Sequence, residues 1–235
     1  MLYELIAFNK LLSNLSSEDY ERLLPHLEVT HLSLGQTLYE SNQPIDYAYF
    51  PINAVVSLIN TLEGGQSINA TVVGNEGMIG VPLVLGTMRI PMAAVTQIAG
   101  SALQIEASVL RTELCYSSAL CPLLLRYIQV LISQLAQNLA CIRLHSAQER
   151  CCFLLALLQD HVGSSELIMT QEALSRVVGV RRAGANEIVS ALARAGLIHH
   201  QRGKITILDR PGLEAASCQC YRVLRAEYSR LSSPL

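Results

Sequence analysis

The stretch TQEALSRVVGVRRAGANEIVSAL, residues 170–192, decides how the rest of the chain is read. Two short helical patterns meet at Gly179, and the second opens with Arg181 and Arg182 before turning apolar at Ile188 and Leu192. That spacing predicts a helix-turn-helix. An ordinary helical hairpin in a globular core is the alternative this stretch alone leaves open, and the flanks separate the two.

Downstream, Ala195-Gly196 puts a glycine at the helix stop. Leu197–His200 and Lys204–Leu208 then read as two strands turning through Gln201-Arg202-Gly203, the pattern of a wing. Residues 211–231, opening at Pro211, read as a last helix with Arg222, Arg225 and Arg230 on a solvated face.

Upstream, an apolar helix from Arg150 to His161 ends near Gly163-Ser164-Ser165. Before it, from Pro122 to about residue 147, apolar residues recur at Leu124, Ile128, Leu131, Leu135, Leu139 and Ile142, three and four apart. One long helix with a narrow apolar seam predicts a dimer interface. The alternative is that the seam packs only on the chain's own β domain.

That domain is expected over residues 28–107. Runs such as VTHLSL, TLYES, AYFPI, VVSLINTL, SINATVV, MIGVPLVLG and AVTQIAGSALQIEA are rich in β-branched and aromatic residues and are punctuated by glycine, asparagine and proline. Many short strands without intervening helices predict a closed antiparallel barrel or jelly roll. Residues 5–27 read as helical, with Ser16 or Ser17 as the cap and Glu18, Asp19 and Glu21 at the positive end of the dipole.

The formal net charge is −2, but it is unevenly distributed. Residues 1–165 hold 7 Lys/Arg and 13 Asp/Glu, whereas residues 166–235 hold 10 and 6, a local excess of +4. A basic C-terminal part suits phosphate contact. MLYELIAFNKLL lacks the basic start of a signal peptide. The apolar segment from Ala119 to Ile142 is interrupted by Pro122, Arg126, Gln129, Gln134, Gln137 and Asn138, which argues against a membrane span. A cytoplasmic location is expected, with the seven cysteines as reduced, mostly buried thiols. Cys151-Cys152 and Cys218-x-Cys220 have no CxxC pair or His/Cys run beside them, so no metal site is expected.

The order of these parts resembles the Crp/Fnr superfamily of bacterial transcription regulators, over nearly the whole chain. The most specific stretches are TQEALSRVVGVRRAGANEIVSALARAGLI and HHQRGKITILDRPGL, while FPINAVVSLINTLEGG and VVGNEGMIG agree with the family's sensor barrel. The resemblance implies an α+β chain in three parts: a jelly-roll sensor over 1–118, a dimerisation helix over 119–148 and a winged helix-turn-helix over 149–235. It implies a homodimer on a palindromic operator in double-stranded DNA, with RNA polymerase as a further partner.

On that reading the recognition helix runs from about Arg181 to Ala195, held by Ile188, Leu192 and Ala195. Arg182, Ala183, Asn186, Glu187 and Ser190 project from it. Arg182 suits guanine, Asn186 adenine and Glu187 a cytosine amino group, although Glu187 could instead pair with a neighbouring arginine. Arg181, Gln171, Arg202 and Lys204 suit phosphates.

Two departures from the family stand out. Better-known relatives carry a Glu and, three residues on, a Ser or Gly followed by Arg on the groove face, where this chain has Ala183, Asn186 and Glu187; its operator should differ from theirs. Cyclic-nucleotide binders carry a Gly-Glu pair and, about ten residues later, an Arg with a small hydroxyl residue. Here Gly80 is followed by Val81 and Pro82, and the later region reads Arg89, Ile90, Pro91, Met92. Iron–sulfur members place cysteines near the N-terminus, whereas the first here is Cys115. Both cofactors are therefore argued against and the effector is left open. No P-loop, dinucleotide fingerprint, HExxH or GxSxG supports an enzyme. The remaining rival is a binding module that signals through protein contacts with a degenerate helix-turn-helix.

Overall fold

The computed structural model of the chain describes residues 8–231. Seven strands succeed one another: β1 (Glu28–Leu32), β2 (Thr37–Tyr39), β3 (Tyr47–Pro51), β4 (Val55–Thr61), β5 (Ser67–Val73), β6 (Ala93–Ile98) and β7 (Gly100–Glu106). They form two antiparallel sheets, ordered β1-β7-β3 and β2-β6-β4-β5. The barrel is not closed by strand pairing. Leu32, Phe50 and Leu103 from one sheet and Val56, Leu58 and Ala94 from the other bury a common core instead.

Two local expectations are corrected. MIGVPLVLG is not a strand: Gly80 takes φ 102°, and Pro82 in the first turn of the short helix α2 (Val81–Val84) removes a ladder donor. The helix expected over 5–27 is broken where it is described, residues 5–7 lying outside the described range. Ser16 caps α1 (Ser17–Leu23) by accepting from the Asp19 amide, and Pro25 then sits in a 3₁₀ turn over Leu24–His26.

After β7 come α3 (Ala107–Tyr116) and α4 (Leu120–Leu144). The inner face of α4, including Leu123, Leu124, Tyr127, Ile128, Val130 and Leu131, is buried. Its polar residues are not mere interruptions. β5 is an edge strand, and Gln134 Nε2 donates to Val72 O at 3.0 Å while Asn138 Nδ2 donates to Ala70 O at 3.0 Å. Side-chain amides thereby occupy edge carbonyls that another chain could otherwise pair with. By length and apolarity alone α4 could cross a membrane, with a mean hydropathy of 1.2 over 18 residues. Its buried face packs against the chain's own β5 and the helix over 220–231.

A capping box of Ser146 and Glu149 starts α5 (Ala147–Val162), which ends at Gly163 with φ 71°. Around α5 lies a second core. Strand alternation sends Val55 and Val72 into it while Val56 and Val73 face the first core, so α5 covers the outer face of the four-stranded sheet. The remaining elements are β8 (Glu166–Leu167), α6 (Gln171–Val178), α7 (Arg182–Arg194), β9 (Ile198–Gln201), β10 (Lys204–Ile207), α8 (Arg210–Ala215) and α9 (Cys220–Leu231). The expected last helix is thus two, separated by a turn at Ser217.

Candidate nucleic-acid interface

Thr170 accepts a hydrogen bond from the Ala173 amide at 3.1 Å and so fixes the start of α6. At its end Gly179 adopts φ 74°, and the Gly179 and Val180 amides both donate to Ser175 O at 3.0 Å. The chain is thereby turned within three residues into α7, whose N-cap residue is Arg181. No side chain caps α7, so its first amides are open to an acceptor from outside.

Ala185, Val189 and Leu192 anchor α7 on Ala173, Leu174 and Val178. Leu192 was expected there, but Ile188 is only half-buried and Ala195 is exposed. The helix is rotated slightly from the sequence reading, with Val189 rather than Ile188 at the centre of the buried face. Arg181, Arg182, Ala183, Asn186, Glu187 and Ser190 are all exposed. Glu187 forms no ion pair among the described residues.

The wing pairs β10 with β9 in the register Lys204↔Gln201, with Gly203 at φ 78° in the turn. Sequence reading missed β8, a two-residue strand on the other side of β10 that pairs Leu167 with Ile205. It brings Glu166 to Lys204, with Nζ 2.5 Å from Oε1. Lys204 is therefore already paired, and Arg202 is the exposed cation of the wing. Between α6, the start of α7 and the wing lies an open cleft of about 490 Å³ walled by Thr170, Gln171, Arg182, His200 and Arg202. Gln171, Arg182 and Arg202 are thus brought together; Asn186, Glu187 and Ser190 extend the same helix beyond the cleft. His200 was not singled out from sequence, since only the wing register brings it here.

Residues 149–216 match the Crp-like helix-turn-helix domain. This is a Crp/Fnr fold ending in a Crp-like helix-turn-helix domain. A CRP-family transcriptional regulator from Thermus thermophilus shares 15% identity, covering 80% of this chain and 96% of its own, at a TM-score of 0.66. A second Thermus thermophilus regulator, of the CRP/FNR family, shares 22% over 81% and 98%, at 0.58. FixK2 from Bradyrhizobium japonicum shares 13% over 82% and 98%, at 0.64. No curated protein matches the chain.

On this Crp-like scaffold the position expected to lack a carboxylate, Val81, lies half-buried in α2, and Arg89 is exposed, donating to Asn42 O at 2.9 Å to brace a loop. The seam of the Crp-type long helix divides. Leu124, Ile128 and Leu131 are buried in the chain's own core, Leu135 is half-buried, and Leu139 and Ile142 are exposed. The exposed apolar stripe also holds Leu125 and Ile132, which the sequence reading passed over. Of the cysteines, Cys151 and Cys152 are buried thiols within α5, as expected. Cys141, Cys218 and Cys220 instead converge with His145, which the sequence reading did not foresee.

Proposed function

We propose that this Crp-type regulator binds DNA sequence-specifically as a homodimer on a palindromic operator, its jelly roll serving as a sensor for an effector other than a cyclic nucleotide. The observation that carries the reading is the shared exposure of Arg182, Ala183, Asn186, Glu187 and Ser190 on one helix, flanked by Gln171 and Arg202 across an open cleft. Base-reading side chains on the helix would enter the major groove, while Arg181, Gln171 and Arg202 would hold phosphates on either side. With Ala183 and Glu187 at the groove, the preferred half-site would differ from that of the better-known relatives.

The dimer would form along α4. Leu125, Ile132 and Leu139 recur every seven residues and are exposed, and half-buried Leu135 and exposed Ile142 fall three residues after Ile132 and Leu139. These are the a and d positions of a two-stranded coiled coil. Leu124, Ile128 and Leu131 belong to the inner face.

Purified protein would be used to select genomic fragments, and the enriched fragments sequenced. Recovery of a palindromic sequence at moderate salt is expected. If no palindrome is enriched at any salt concentration, the protein-contact rival gains and the regulator reading is lost.

A further inference from the structure

Cys141 lies on the last turn of α4 and His145 caps that helix, while Cys218 precedes α9 and Cys220 is its first residue. One ligand atom from each lies within 4.8 Å of the other three. Cys141 Sγ is 3.5 Å from Cys218 Sγ, and Cys220 Sγ is 3.4 Å from His145 Nδ1. A zinc ion bound at about 2.3 Å to sulfur and about 2.0 Å to nitrogen sets tetrahedral edges of about 3.8 Å between sulfurs and about 3.5 Å between sulfur and nitrogen. The observed separations lie close to those edges. The three cysteines are buried, and Gln137 Nε2 donates to Cys220 Sγ at 3.1 Å, an outer hydrogen bond of the kind that orients thiolate ligands.

We infer that Cys141, His145, Cys218 and Cys220 form a tetrahedral site for one soft divalent cation of the Zn²⁺ class. Three thiolates with one imidazole select such an ion over Mg²⁺ or Ca²⁺, which take oxygen ligands. Four ligand atoms packed this closely enclose a single ion. The site lies at the joint between α4 and α5, where Ser146 follows His145 directly. Arg150 Nη1 donates to His145 O at 3.0 Å across that joint. A bound ion would tie the start of α9 to the end of α4 and hold the DNA-binding domain at one angle to the long helix. Its binding releases thiol protons to solvent, so affinity falls on acidification.

The test uses the reduced, metal-free full chain, titrated with Zn²⁺ against a chromogenic chelator and separately with Co²⁺. Expected are one ion per chain and the intense visible bands of tetrahedral cobalt with thiolate-to-cobalt charge transfer. Cys218→Ser and Cys220→Ser should each remove that spectrum, whereas Cys115→Ser and Cys151→Ser should leave it. Gln137→Leu should keep the stoichiometry and weaken Zn²⁺ about tenfold to a hundredfold. Circular dichroism separates ligand loss from misfolding, and the unsubstituted chain needs no such control. A weak octahedral cobalt spectrum, a stoichiometry untouched by Cys218→Ser in the folded variant, or a reduced chain that takes up no metal but forms a Cys141–Cys218 disulfide in air would each overturn the assignment.

Discussion

His161 Nδ1 lies 2.5 Å from Glu76 Oε2, with both side chains almost fully withdrawn from solvent. The pair joins the loop after β5 to the last turn of α5, and so the sensor domain to the arm that carries the helix-turn-helix. Gly74 makes the approach possible, because a Cβ there would overlap the His161 side chain. Gly77 does the same for Tyr127, whose hydroxyl donates to Met78 O at 3.2 Å.

Burial alone would push the Glu76 carboxyl up, but the adjacent His161 and the hydrogen bond from the Gly74 amide bring it below its ordinary value. A carboxyl lowered in the folded state binds protons more readily when unfolded. Its contribution to stability is therefore present above the unfolded value and lost as pH falls through the folded one. Thermal melts from neutral pH down to about pH 3 should show this acid loss, and Glu76→Gln should flatten it. Glu76→Ala should cost about 3–5 kcal/mol, since it leaves a buried imidazole without its partner. A neutral effect in denaturant titration would mean that the two domains are held by their apolar contacts alone.

Glu166 sets Lys204 apart from Arg202, two wing cations that the sequence assigns alike to phosphates. Arg182→Ala should relax base choice at one position per half-site, by about 1–3 kcal/mol of discrimination. Arg202→Ala should weaken all sequences evenly and flatten the salt slope by about one. Lys204→Ala should do less than Arg202→Ala because Glu166 already offsets its charge, and Glu166→Gln should strengthen binding without changing preference. Fluorescence anisotropy across a salt series checks all four.

Ile132→Asp with Leu139→Asp should give a folded monomer in sedimentation, because these side chains are exposed in the single chain. Leu131→Asp should instead unfold the chain, since it buries a carboxylate in the first core. A dimer that survives the double substitution would place the interface elsewhere.

Arg210 gathers the elements around α5. Its guanidinium donates to Ala156 O and Gln159 Oε1 at 2.9 Å, to Asp160 Oδ1 at 2.9 Å and to Glu214 Oε1 at 2.6 Å, and lies 5.2 Å from the Tyr221 ring centre. Arg210→Ala should destabilise the C-terminal domain by about 3 kcal/mol, read as an earlier denaturant midpoint. Arg210→Lys should recover little, because one ammonium cannot reach all four acceptors.

Much of this was legible in local pattern. Thr170, Gly179 and Gly196 mark the helix ends because caps and left-handed turns need those residue types, and the exposed side of α7 follows from a 3.6-residue period. The cluster of Cys141, His145, Cys218 and Cys220 was not legible, because neither Cys141-x₃-His145 nor Cys218-x-Cys220 is a metal motif by itself. Nothing local says that two pairs more than seventy residues apart share one point. The further role of two polar residues of α4 was illegible for a related reason, since only the position of β5 shows that Gln134 and Asn138 complete an open edge.

The sequence by itself determined most of the elements, the order sheet, long helix, helix-turn-helix and wing, and that Arg182, Ala183, Asn186, Glu187 and Ser190 face outward from α7, because caps, turns and periodicity act over a few residues. Only the tertiary structure decided which apolar stripe of α4 is already used, that Glu166 occupies Lys204, that Glu76 meets His161 and that three cysteines close on one histidine. Those depend on how distant segments pack. Packing selects among faces that a one-dimensional pattern leaves equivalent.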